Sequence, residues 1–202
     1  MLKGRYFALV ALLVLVALSA CSSNKQVVEE EVIEPVRNPL ALAREAATEG
    51  ADMYQDKMYD AAIVAFQNAW DLFNEAAPTA SEADSVAYNM EIMKMNIAKS
   101  HADLAYDNMD ITLYEEALMN YQSALDIYKS HTPVVITQED LDRDILGTYN
   151  NMAIVAQKAA KYEKTVEYYD EILKRDPNNE CILNAKFHVL SDNLKDDVRA
   201  FE

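Results

Sequence analysis

The sequence predicts an all-α fold, and three observations carry that prediction. Glycine is nearly absent, with three in 202 residues, and proline numbers only five; sheets joined by tight turns need more turn residues than this. Apolar residues make up 51% of the chain, enough to build a sizeable core. Apolar and small residues recur three or four apart through most of the chain beyond residue 40, as they do along amphipathic helices. The stretch from Tyr149 to Asn179 shows the unit clearly: one such pattern runs to Ala160, and a second starts at Tyr162. A helical hairpin of this size cannot bury its own apolar faces, so it requires neighbours.

Charge narrows the functional classes. Acidic residues number 34 against 18 basic, a net charge of −16. Nucleic-acid binding needs a basic surface to neutralise phosphates, so that class is excluded. An acidic body is also repelled by anionic lipid, and any membrane contact needs a separate device.

The N-terminus offers one. Lys3 and Arg5 precede an unbroken apolar run from Tyr6 to Leu18, and small residues then lead to Cys21. The run falls short of the roughly 20 residues that span a bilayer and suits the apolar region of a signal peptide. Leu18-Ser19-Ala20-Cys21 resembles the lipobox of bacterial lipoproteins. The resemblance implies that residues 1–20 are cleaved and that the Cys21 sulfur carries a diacylglycerol, with palmitate-type chains holding the protein in the cell envelope. Two or three acyl chains make such an attachment lasting. Ser22, where an Asp would favour inner-membrane retention, resembles the sorting preference for the outer membrane, facing the periplasm. Losing Lys3 and Arg5 with the leader takes the net charge from −16 to −18. Cys181 is then the remaining thiol, expected as a small buried apolar residue at a helix start. Residues 21–40 carry two prolines and the acidic cluster Glu29–Glu31, a composition suited to an extended tether reaching about 60 Å at roughly 3.3 Å per residue.

Beyond the tether one frame recurs. Tyr59, Tyr114 and Tyr162 start it; Ala62, Ala117 and Thr165 follow three positions later. Phe66, Tyr121 and Tyr169 come next, then Ala69, Ala124 and Ile172. This frame resembles the second helix of the tetratricopeptide repeat, and Arg175-Asp176-Pro177-Asn178-Asn179 resembles the usual repeat ending. Tyr149, Met152 and Ala153, like Ala46 and Gly50, fall where the family's first helix places its large and small residues. The resemblance implies a right-handed solenoid of antiparallel helix pairs, in units of about 41–77, 82–130, 138–177 and a partial 178–202. The steric logic is plain. Small residues at Gly50 and Ala62, or Ala153 and Thr165, let two helices approach closely, while Phe66 and Tyr169 fill the groove toward the next pair.

The spacing also departs from the family. Its period is about 34 residues, whereas Tyr59 and Tyr114 stand 55 apart and Tyr114 and Tyr162 stand 48 apart. Ser81 to Met109 reads as one elongated helix with Val86, Met90, Met93, Ile97 and Leu104 on its apolar side, which leaves two registers open for the second unit. Thr137 and Asp140 form a capping pair for the helix that follows. Val134, Val135 and Ile136 are either a partner contact or a loop folded onto the long helices, and the second is expected. Trp70 and the methionines from Met90 to Met95 are expected in the core. Cys181, Ala185 and His188 fit the first helix of a fourth unit, with Leu194, Val198 and Phe201 opening its second. Because the chain stops within that helix, an incomplete sequence is expected.

A search for chemistry finds little. The Gly-rich phosphate loops cannot be built, and no His stands in an H-E-x-x-H or E-x-x-H pair. Ser100, His101 and Asp103 diverge around a helix, and Glu115, Glu116 and Glu163 occupy solvent-facing positions. No enzyme activity, metal or cofactor is therefore expected. What remains is binding. The tetratricopeptide resemblance implies a groove lined by first helices, at Arg44, Ala47, Ala51 and Tyr54, then Ala102 and Tyr106, then Asn150, Ile154, Gln157 and Lys158. Only Arg44 and Asn150 hint at the family's clamp for C-terminal carboxylates. A groove of Tyr, Ala and amides on an acidic body suits an amphipathic or basic protein segment. Two functions stay open: a lipid-anchored envelope scaffold that binds protein partners, or a lipoprotein that captures glycan or peptide for an uptake system.

Overall fold

The computed structural model describes residues 38–76, 78–79 and 81–200. The expected signal peptide, Cys21, the tether as far as residue 37, and Phe201 lie outside the described residues. Among the described residues every regular element is helical, and each helix packs on the one that follows it.

Helix α1 (Pro39–Gln55) starts where local chemistry starts it. The Asn38 side chain accepts the Leu40 N–H at 3.0 Å, and Pro39 occupies the first turn, where its missing N–H costs nothing. The helix thus takes in the last two residues of the expected tether, Pro39 and Leu40, and Leu40 is buried. It ends at Lys57, whose φ of 59° lies in the left-handed region. There the Met58 N–H reaches the Met53 carbonyl at 2.9 Å and the Lys57 N–H reaches Tyr54 at 3.0 Å. This paired closure satisfies carbonyls that a helix end would leave bare.

The same closure recurs twice. After α3 (Ala83–Asp110), Thr112 takes φ 67°, with Leu113 bonded to Asn108 and Thr112 to Met109. After α5 (Gln138–Lys158), Ala160 takes φ 56°, with Lys161 bonded to Ala156 and Ala160 to Gln157. Two residues beyond each turn, Tyr59, Tyr114 and Tyr162 open α2 (Tyr59–Glu75), α4 (Tyr114–Ser130) and α6 (Tyr162–Leu173). The three tyrosines therefore begin equivalent second arms. Counting back from the turns also settles the open register, since Gly50, Ala105 and Ala153 now correspond. All three are buried.

The small positions do what their size allows. A Cβ placed on Gly50 would lie 2.6 Å from Cδ1 of Phe66, so α1 and α2 meet at a distance that no other residue permits without displacement. Ala62, Ala117 and Thr165 have no exposed surface, and Phe66, Tyr121 and Tyr169 are buried one turn further along the same helices. Burial is shared between two apolar clusters. Residues of α1, α2 and the first half of α3 form one, including Val86, Met93 and Ile97. Ala98 and Ala105 of α3 join α4, α5, α6 and the segment after α7 in the other. Of the expected core methionines, Met93 is buried, while Met90 and Met95 pack at its margin. Trp70 is half-buried, with its Nε1 enclosed and unpaired.

The elongated α3 brings a buried charge. Glu91 is 4% exposed, yet its carboxylate is fully occupied. It accepts the His131 Nε2 at 2.9 Å and the backbone N–H groups of Val134, Val135 and Ile136 at 2.6–3.2 Å. The loop does fold onto the long helix, but through its backbone: Val134 remains 77% exposed. Thr137 then caps α5, its Oγ1 accepting the Asp140 N–H at 3.0 Å.

The C-terminal part corrects two expectations. Asn179 caps α7 (Glu180–His188), which buries no residue, and Cys181 on it is exposed. The helix widens into a π-helical segment, Val189–Leu194, that carries burial at Val189 and Leu190 instead. Leu194 therefore ends the first arm and does not open the second. Lys195 at φ 58° turns the chain into α8 (Asp197–Ala200).

Two predictions follow from these contacts. Thr112 is β-branched in a conformation that costs L residues about 1–2 kcal/mol, so Thr112→Gly is expected to stabilise the protein by about 1 kcal/mol, raising Tm by about 2–4 °C in calorimetry. For Glu91, burial alone would raise the pKa, but the His131 and backbone hydrogen bonds outweigh it and hold the carboxyl below the usual range. That stabilisation is present above the unfolded value and is lost as pH falls through the folded one. Glu91→Gln is expected to cost about 1–3 kcal/mol at neutral pH and to flatten the acid limb of the stability profile, measured by urea unfolding from pH 7 to pH 3.

Candidate functional site

The face shared by α1 and α3 is where polar and aromatic groups converge. The Tyr54 hydroxyl, near the end of α1, donates to the Asp103 carboxylate near the end of α3. Ala51, Tyr54 and Gln55 line one wall of a cleft of about 240 Å³, and Asn96 and Lys99 line the other over the edge of Phe66. Beyond this cleft the Tyr54 hydroxyl reaches Asp103, one turn past Lys99 on α3. Asn96, Lys99, Asp103 and Tyr106 follow the three-or-four spacing of one helix face. The Tyr54 and Tyr59 rings stand 5.4 Å apart at 60°. Lys99 Nζ lies 5.2 Å from the Tyr54 ring centroid, within range of a cation–π contact.

Asp103 dominates the local electrostatics. Burial, its hydrogen bond to Asp103 and the charge of Asp103 push the Tyr54 phenol far above its ordinary value. Tyr59 is raised by burial and by Asp103 and Asp107. Tyr121 is pushed up to about 12, by burial first, then by Asp103, Tyr106 and Asp110, against a hydrogen bond to Asn151. Burial, Asp144 and Asp103 raise Tyr128 in the same direction. Each phenol is thus neutral at physiological pH, and that of Tyr54 donates to Asp103.

The expected groove residues fare unevenly. Ala51 and Tyr54 share the cleft, and Tyr106, 53% exposed, stands one turn beyond Asp103 on the same face. Ala47 packs against the first apolar cluster and Ala102 against the second. Arg44 is exposed on α1 and acts on Glu82. On α5, Asn150 and Ile154 are half-buried while Gln157 and Lys158 are exposed. Arg44 and Asn150 share no hydrogen bond among the described residues, so the two hints of a carboxylate clamp do not meet. Sequence reasoning missed Asn96, Lys99, Asp103 and Asn151. The spacing of Tyr114 from its turn would have located the three on α3, had the register been taken from it.

Other features are sparse. Among the described residues no group of three His, Cys, Asp or Glu side chains is placed to hold a metal ion, and no helix is long and apolar enough to cross a membrane. His188 Nδ1 lies 3.1 Å from Asp192 at i+4, an exposed pair that the motif search did not pick out. His101 Nδ1 sits 3.1 Å from Asn120 Oδ1. Comparison with protein-family models and with curated proteins gives no match.

The raised phenols yield a pH prediction. A group whose folded pKa exceeds its unfolded value contributes stability that is complete below the unfolded value and is lost as pH rises through the folded one. Stability is therefore expected to fall above pH 10. In a titration followed at 295 nm, Tyr54, Tyr121 and Tyr128 should ionise late, together with loss of the helical circular dichroism signal.

Proposed function

We propose that this chain is a lipid-anchored scaffold of the cell envelope. In this reading it is a bacterial-type lipoprotein acylated at Cys21, sited at the outer membrane and facing the periplasm. Its helix pairs stack as a right-handed solenoid of tetratricopeptide-like repeats, and the face built by α1, α3 and α5 binds a protein partner. One observation carries the repeat assignment: three pairs share the same left-handed turn, the same tyrosine two residues later, and the same alternation of small and large buried positions. Such pairs present their first helices side by side. The Tyr54–Asp103 hydrogen bond joins two of them, and their common face offers phenols, amides and carboxylates, groups suited to recognition.

The test uses protein matured in its native host. A photo-crosslinking amino acid replaces Tyr106 on the proposed face, or Val64, which is 69% exposed on α2, as the control. One discrete, stoichiometric protein adduct at Tyr106 and none at Val64 is the expected result, with mass spectrometry finding the diacylglyceryl thioether on Cys21. Unmodified thiol at Cys21 removes the anchor. Absence of an adduct, with oligosaccharide retained by the purified protein, replaces the scaffold by the substrate-capture reading.

A further inference from the structure

Charge is distributed unevenly along the helices. From α1 through α3, residues 38–110 hold thirteen carboxylates and four cationic side chains: Arg44, Lys57, Lys94 and Lys99. None of those four forms an ion pair within 4 Å among the described residues, and the region's one such contact joins Glu91 to His131. From residue 111 to 200 the balance is sixteen to ten, and Arg143, Lys161, Lys174, Arg175, Lys186 and Arg199 are all paired.

Asp103 sits where that imbalance meets the aromatic face. It is half-buried, and its hydrogen-bond partner is the neutral Tyr54 hydroxyl. A carboxylate can accept about four hydrogen bonds, so acceptor capacity is left over. Around it stand the rings of Tyr54 and Tyr59, with Tyr106 one turn further on α3. Lys99 over the Tyr54 ring shows that this aromatic surface accommodates a cation. The helix ends add to the field. The last turns of α1 and α3 contain no basic residue, whereas α4 and α5 place Lys129 and Lys158 there. Asp107 and Asp110 lie in the final turn of α3, where the macrodipole is already negative.

Resting on the scaffold reading above, we propose that the ends of α1 and α3 form a seat for a positively charged side chain, Lys or Arg, carried by the partner's docking segment. The Asp103 carboxylate would take the cation's N–H groups, and the rings of Tyr54, Tyr59 and Tyr106 would take its face. Carboxylate and aromatic rings together are what such a cation needs once it leaves water. A peptide source is favoured over a free amine because Tyr54, which holds Asp103, also lines the cleft that Lys99 and Asn96 flank between α1 and α3, leaving room beside the carboxylate for a further segment. The acidic first half of the molecule steers such a segment toward it.

The test follows ¹³C-labelled tyrosines by NMR in the full chain, with N-acetyl-arginine amide as probe and N-acetyl-citrulline amide as its uncharged counterpart. The expected result is saturable shifts at Tyr54, Tyr59 and Tyr106 with the arginine compound at millimolar concentration, and none with the citrulline compound. Asp103→Asn should weaken binding at least tenfold. Equal shifts from both compounds overturn the proposal, and that comparison needs no variant to fold. The partner adduct at Tyr106 separates the two readings. If it forms undiminished with Asp103→Asn, the seat fails and the scaffold stands; if no adduct forms with Asp103 in place, the scaffold itself fails.

Discussion

The separation between the two helices of each pair is the constraint on which the rest depends. At Gly50 it is so short that a single added carbon would enter the Phe66 ring. Close approach removes water from both facing stripes and leaves the opposite flanks of each pair apolar, so one pair must be completed by the next. The turn is shaped to the same end. Lys57, Thr112 and Ala160 all accept a left-handed conformation that glycine would adopt more cheaply. The closing hydrogen bonds and the packing beyond them hold those residues there.

The long third helix is the main departure from a uniform array, and it changes where burial happens. Its first half belongs to one apolar cluster and its second half to the other, and Ile127 of α4 packs against both. Its added turns also carry a carboxylate into the interior. A buried Glu91 would be costly alone, because desolvation disfavours the charged form. His131 and three consecutive backbone N–H groups reverse that balance. The same contacts satisfy donors in a loop that has no regular structure of its own. One side chain therefore resolves two problems: the charge finds partners, and the segment between α4 and α5 finds a fixed position while leaving Val134 in water.

How much of this was legible in the sequence depends on the kind of signal. Helix identity and the three second arms were readable, because periodicity and the Tyr, Ala, Phe/Tyr spacing are local. The Thr137 cap was readable for the same reason. The register of α3 was less so. An elongated helix offers several equivalent apolar frames, and the left-handed turn that selects among them uses Thr112, a residue with no propensity for that conformation. Cys181 was expected inside because an isolated apolar residue near a helix start resembles core. The structure buries Val189 and Leu190 in its place, since a π-helical turn shifts the face that meets α6, and no sequence rule applied here anticipates such a turn. Glu91 was invisible in its role. A glutamate among methionines reads as a solvated position until the loop that contacts it, some forty residues later, is in place.

Asp103 was hidden by a related limit: its partner lies 49 residues away on a helix whose register was open. Its surroundings also resist explanation by stability alone. Carboxylates in the last turn of a helix oppose the macrodipole, at a cost of a few tenths of a kcal/mol or more each, and Lys or Arg there would do the reverse. The chain uses that remedy on α4 and α5, with Lys129 and Lys158, and leaves α3 with Asp107 and Asp110. At Asp103 the Tyr54 hydroxyl would also donate to an amide oxygen, though more weakly than to the carboxylate. On the proposal above, an external cation would use the acceptor capacity of Asp103 that the Tyr54 hydroxyl leaves over. On that proposal the specificity of the face would lie at the junction of the first two helix pairs, α1–α2 and α3–α4.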